Sequence, residues 1–337
     1  MRRNFAACIL LAVGLLLCTT AEGRHIIGGE ITYECLGEGD YEFTMKVYRD
    51  CNCTNCAEFD QMAYIAIYQC NGDECDGLDQ NSFVARIDVP ISSETPVEEP
   101  NYPCLIPPDV CVEEAIYRFR LSRYGIRLPV SDRSYHVSYQ RCCRNVTINN
   151  IRRPDDSGAT YTVEITPEAQ QVCNSTPVFD QFPPTVICAG AELNFDHSAV
   201  DADGDSLVYE FCAPLLGGGP GLDPGIYNTC DGAQPTPACP PPYNPVTFVG
   251  PTYSAKTPMG GSPVVSINPE TGLITGTPIV QGQFVVGVCV SEYRGDTLLS
   301  RIRRDFQFNV APCDPTVVAD VKEDRKLDDQ EFEINAC

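Results

Sequence analysis

The 337-residue sequence predicts an all-β fold of two tandem, disulfide-rich β-sandwich domains. Three observations predict it. Apolar residues alternate with polar ones at period two through most of the chain, and no long helical period interrupts them. The chain carries 20 cysteines, 18 of them behind an export signal. The alternating segments fall into two series, one before Pro167 and one after Val186.

Taking the elements in order, Met1 to Ala21 has Arg2 and Arg3, an apolar run from Phe5 to Cys18, and small residues at Thr19 and Ala21. This is the layout of a secretory signal peptide, assigned to 1–23 with cleavage after Ala21 or Gly23. The run is too short to span a bilayer, and no later segment is apolar enough to anchor the chain. Two cysteines, Cys8 and Cys18, go with the signal. The rest enter an oxidising compartment, where disulfides are the expected state.

The first domain is assigned to 24–172. Its strands are "ITYEC", the run Tyr41, Phe43, Met45 and Val47 opposed by Glu42, Thr44 and Lys46, and "MAYIAIYQ". They continue with Ala115, Tyr117, Phe119 and Leu121 against Arg118 and Arg120, then with Tyr135, Val137 and Tyr139 against His136, Ser138 and Gln140, and end with "TYTVEIT". Each reads as a half-buried strand. Adjacent Cys142 and Cys143 are expected to point to opposite faces of a strand and take different partners.

The second domain is assigned to 173–312. "VICAG", "LNFDHSA", "LVYEFC", "PVVSINPETGLITGTP", "GQFVVGVCVSEY" and "RRDFQFNV" supply its strands. A Pro- and Gly-rich stretch, 214–263, interrupts them as an inserted surface loop that Cys230 and Cys239 are expected to tie down. Residues 313–337 read as an acidic linker and the start of a further module.

A net charge of −23 excludes a polyanionic partner such as nucleic acid and favours cations. The motifs that might carry chemistry mostly dissolve. "GDSL" would make Ser206 a nucleophile, but that needs a histidine base, and no histidine follows His197. "RHIIGGE" is similar to the activated N-terminus of trypsin-like proteases, without the rest of that signature, and reads as a Gly-containing turn before the first strand. "CNCTNC" at Cys51 to Cys56 has zinc-ligand spacing, but export favours disulfides.

"DADGD" is the informative motif. Glycine falls at the fourth position and strands flank it, so it is not an EF-hand. Asp201, Asp203 and Asp205 still crowd one tight bend, where a hard cation would relieve their repulsion; the alternative is a metal-free turn, which Asp and Gly equally suit. If the strands follow immunoglobulin-like (Ig-like) order, the loop ends cluster and bring Glu292 and Asp296 to the bend. The expected metal set is therefore Asp201, Asp203, Asp205, Glu292 and Asp296, holding a structural Ca2+.

"AVDADGDSLVYEF", "INPETGLITGTP", "GQFVVGVCVSEYRGD" and "RDFQFNV" together resemble the cadherin-like, Ig-fold (PKD-like) modules of bacterial surface proteins. "HIIGGEITYECLGEGDYEFTMKVYRDC", "HVSYQRCCRNVTINNI" and "SGATYTVEI" resemble the N-terminal region of large secreted proteins of gliding-type Bacteroidota. The resemblance implies a secreted, cell-surface segment serving adhesion or scaffolding, non-enzymatic, with a polysaccharide or a protein as partner. The alternative is a polysaccharide-binding, or less readily polysaccharide-degrading, extracellular module.

Overall fold

The computed structural model describes residues 26–52, 57–72, 75, 82–97, 105–106, 108, 110–217, 240–261, 264–315, 325–326 and 332–333. The signal-peptide assignment, cysteines 53, 56, 104, 230, 239 and 337, and the middle of the insert lie outside the described residues. Strands hold 54% of the described residues, and helix among them is limited to one short α-helix and two 3-10 turns, so the fold is mostly β.

The first half contributes β1 (Ile26–Gly37), β2 (Asp40–Asp50), β3 (Met62–Cys70), β4 (Phe83–Pro90), β5 (Ser93–Pro96), β6 (Leu105–Ile106), β7 (Val112–Arg120), β8 (Ser134–Arg141) and β9 (Ala159–Ile165). Helix α1 (Pro167–Val172) follows, its first turn capped by the Thr166 hydroxyl, which accepts from the Ala169 N–H at 3.1 Å. The second half contributes β10 (Val178–Phe179), β11 (Val186–Cys188), β12 (Leu193–Asp196), β13 (Ala199–Val200), β14 (Ser206–Cys212), β15 (Val265–Ile267), β16 (Leu273–Gly276), β17 (Gly282–Arg294) and β18 (Thr297–Ala311).

In the first half, β1-β2-β7-β5 faces the sheet β4-β3-β8-β9. Alternation decides which side chains fill the gap: Tyr41, Phe43, Met45 and Val47 are buried while Glu42, Thr44 and Lys46 are only half so. Rings pair within each sheet, Phe43 stacking on its cross-strand partner Phe119 at 5.1 Å and Tyr139 lying 6.5 Å from its partner Tyr161, and across the layers, where Tyr117 lies 6.5 Å from Tyr139. In the second half, β14-β17-β18 packs over the small sheet β12-β16-β15, burying Phe195 and Ile274 against Val286 and Phe306.

Three expectations about local structure change, at β8, at Cys142–Cys143 and at Gly28–Gly29. β8 is buried on both faces, because residues 240–244 cover its outer side: Tyr243 donates to the Ser138 hydroxyl at 2.8 Å, and Gln140 donates to Thr160 at 3.1 Å. Cys142 and Cys143 pair with each other and do not seek separate partners. Five other disulfides are present among the described residues: Cys35–Cys173, Cys51–Cys111, Cys70–Cys75, Cys188–Cys313 and Cys212–Cys289.

The halves meet edge to edge. β1 pairs with β18 at Gly29 and Asp305, so one eight-stranded sheet runs through both, and one apolar cluster extends from Phe43 through Tyr161 to Phe306. Gly28 and Gly29 allow this approach. A Cβ on Gly28 would fall onto the Asp305 carbonyl oxygen, and one on Gly29 would sit 2.7 Å from the Tyr161 ring. The Gly-Gly pair therefore lies inside a strand, not in a turn before it.

Two buried ion pairs stitch the seam. Arg144, with no exposed surface, reaches the Asp305 carboxylate at 2.6 Å and donates to the carbonyls of Leu215 and Gly158. Arg304 lies 3.1 Å from Glu30, donates to the Gln181 carbonyl, and covers the Phe179 ring at 4.8 Å. Burial pushes the Asp305 carboxyl up, and Arg144 opposes that push. Each guanidinium is thus held by its hydrogen bonds as much as by charge.

Candidate metal centre at the junction

The acidic bend connects β13 to β14. Gly204 adopts φ +81, a left-handed conformation that costs most residues free energy and glycine little. The bend closes on itself where the Asp205 N–H donates to the Asp201 carboxylate at 2.7 Å. Arg294, at the end of β17, clasps Asp205 with two donors at 2.8 and 2.6 Å and holds its carboxyl below the usual carboxylate range.

Glu292 reaches the bend from β17, beside the register shift between Glu292 and Tyr293. It is fully buried. One carboxylate oxygen accepts from the Asn174 amide at 2.9 Å and from the Ser300 hydroxyl. The other has no donor, and neither does the second oxygen of Asp201. Burial pushes the Glu292 carboxyl up to about 8; Ser300 and Asn174 pull it down, and the charge of Asp201 pushes it further up.

Asp201, Asp205 and Glu292 each bring a carboxylate oxygen within 4.8 Å of the others. Two buried oxygens without donors, facing a third carboxylate, call for a cation or a proton between them. Arg294 occupies both oxygens of Asp205, yet each oxygen keeps a second lone pair for a metal. The donor set is all oxygen, which suits Ca2+ or Mg2+ and not a soft metal.

The structure brings together three of the five residues expected. Asp203 faces away and accepts the Ser175 N–H at 3.1 Å; Asp296 is exposed in the turn between β17 and β18 and lies outside the group. Sequence reading missed Asn174, Ser300 and Arg294. Asn174 starts an "NST" sequon, but its amide is buried and bonded to Glu292, and Arg294 approaches its oxygen at 3.4 Å.

The site is also where the halves join. Thr176 exchanges hydrogen bonds with the Tyr33 backbone, Ser175 accepts from the Cys35 N–H at 3.2 Å, and Cys35 bonds Cys173. The connecting segment thus touches β1 on one side and the acidic group on the other.

Other motif residues are engaged elsewhere. Ser206 is exposed on β14, while both ring nitrogens of His197 lack hydrogen-bond partners inside walls made by Phe179, Phe195 and Phe306. His136 bonds the Gly72 carbonyl at 2.8 Å, and Cys51 is joined to Cys111. No protein-family model matches the chain, and no curated protein or solved structure matches it.

Proposed function

We propose that this chain is an exported cell-surface segment of two Ig-like sandwiches fused along one seam, acting in adhesion or scaffolding and not in catalysis. A structural Ca2+ held by Asp201, Asp205 and Glu292 stiffens the junction. The observation that carries this reading is the pair of donorless buried oxygens, on Glu292 and Asp201, beside the segment connecting the halves. Six disulfides among the described residues support an extracellular setting, and no helix among them is long and apolar enough to cross a membrane. The partner in this reading is a surface polysaccharide or protein met by loops on a rigid frame.

Thermal unfolding with and without Ca2+ tests the metal. Calcium at one hundred times Kd is expected to add about 2.7 kcal/mol, a rise of several degrees in Tm. Asp201→Asn should remove most of that rise while leaving the chelated protein unchanged. A wild-type Tm that ignores millimolar calcium overturns the site.

A further inference from the structure

A cavity of about 160 Å³ lies where residues 241–243 close over the outer face of β8 and β9, beside β18. It is partly open to solvent, with exposed Pro242 and Arg301 at its mouth. A cavity near this volume takes one six-membered ring.

Its wall holds polar groups that the fold leaves without partners. His136 lines it and is only 2% exposed. The His136 Nε2 bonds the Gly72 carbonyl at 2.8 Å; a carbonyl only accepts, so Nε2 carries the proton and Nδ1 of the neutral ring is an acceptor. That acceptor has no hydrogen-bond partner among the described residues. Nearby, Tyr243 donates to the Ser138 hydroxyl at 2.8 Å, and Ser138 meets the Thr162 hydroxyl at 2.7 Å. Three hydroxyl hydrogens serve two bonds, so the chain keeps one to donate.

The charges on the wall choose among ligands. Glu164 stands directly across from His136 in the β8–β9 pair and lines the cavity without an ion pair among the described residues. Arg301 pairs with Glu210, and Arg303 donates to the Ala213 carbonyl. Two guanidiniums and two carboxylates therefore cancel. A cation entering meets both arginines, and an anion meets the field of a chain carrying −23. A peptide side chain brings a single polar end, whereas this wall offers acceptors and donors around a ring-sized space, with Pro241, Pro242 and Tyr243 as its apolar part.

We propose that the cavity binds one neutral sugar residue of a polysaccharide. The His136 Nδ1 and the Glu164 carboxylate accept from its hydroxyls, Arg301 and the hydroxyl chain donate to them, and the prolines and Tyr243 pack on its C–H face. The proposal makes a polysaccharide the partner in the adhesion reading and rests on that reading only for its biological setting.

The test is saturation-transfer NMR on the whole chain, calcium present, with D-glucose, D-galactose and D-mannose at millimolar concentration as neutral probes and D-glucuronate as the anionic one. At least one neutral sugar should bind. Glu164→Ala should weaken that binding at least about tenfold, whereas the exposed control Glu192→Gln should change it less than about twofold. Failure of all three neutral sugars, tighter binding of D-glucuronate, or equal losses in the two variants overturns the cavity. Glu164 lies outside the metal group, so Glu164→Ala should keep any calcium-dependent rise in Tm. Sugar binding without that rise fails the metal site alone, and the rise without sugar binding fails the cavity alone.

Discussion

The two halves of the molecule are closed in the same way and built to different ends. Cys35–Cys173 ties the opening strand of the first half to the residue after α1, and Cys188–Cys313 ties β11 to the residues just past β18. Between those ties the first half sets two four-stranded layers face to face with a tyrosine ladder between them. The second half has one long hairpin, β17–β18, over a three-stranded sheet, and it carries the acidic bend on its rim. Packing dominates one half and polar chemistry collects where the other meets it. The seam decides whether they behave as two modules or one.

The largest expected effect comes from breaking that seam. Arg144→Ala leaves the Asp305 carboxylate buried without its cation and should cost about 3–5 kcal/mol, seen as a lower midpoint in urea. Replacing both partners, Arg144→Met with Asp305→Leu, should restore most of the loss. If the halves unfold as one unit, both variants keep a single transition; a second transition appearing in Arg144→Ala would show that the seam alone couples two independent modules.

How much of this was legible in the sequence follows from how far each cause reaches along the chain. The strands β2 and β7 were readable because alternation is a property of neighbouring residues, and Tyr41 to Val47 and Ala115 to Phe119 bury as their period dictates. β8 was read as half-buried because its cover, Tyr243, lies more than a hundred positions away. Gly28–Gly29 looked like a turn, since nothing near it in sequence announces the approach of Asp305. The bend at Asp201 to Asp205 was visible as a motif, and Glu292 was placed by assuming a strand order. Asn174 and Ser300 had no local signal: one lay in a sequon, the other in an ordinary strand, and only the fold brings both to Glu292.

A smaller effect separates the halves by pH. Burial, with the Arg304 cation close by, holds the His197 ring well below its ordinary value, so the folded protein keeps it neutral. Phe179 lies between the two, 4.6 Å from the imidazole and 4.8 Å from the guanidinium; among the described residues the carboxylate ion-paired with Arg304 is that of Glu30. The unfolded chain binds a proton near pH 6.5 that the folded chain refuses, so this contribution is present above about 6.5 and is lost as the pH falls, by up to about 1.4 kcal/mol per pH unit. Melting curves from pH 7 to 5 should show that slope, and His197→Phe should flatten it. An unchanged slope would mean that other groups carry the acid sensitivity.

The smallest effect isolates the bend from everything it touches. A Cβ on Gly204 would meet no atom within 4 Å, so Gly204→Ala tests backbone conformation alone. The left-handed φ of +81 should cost alanine on the order of 1 kcal/mol in chelator. If the bend exists to hold a cation, the cost should grow when calcium is present, because a strained Asp203–Asp205 turn would present the carboxylates of Asp201 and Asp205 less well to the shared ion. A cost identical in calcium and in chelator would leave the bend a simple turn and return the buried Glu292 oxygen to a proton.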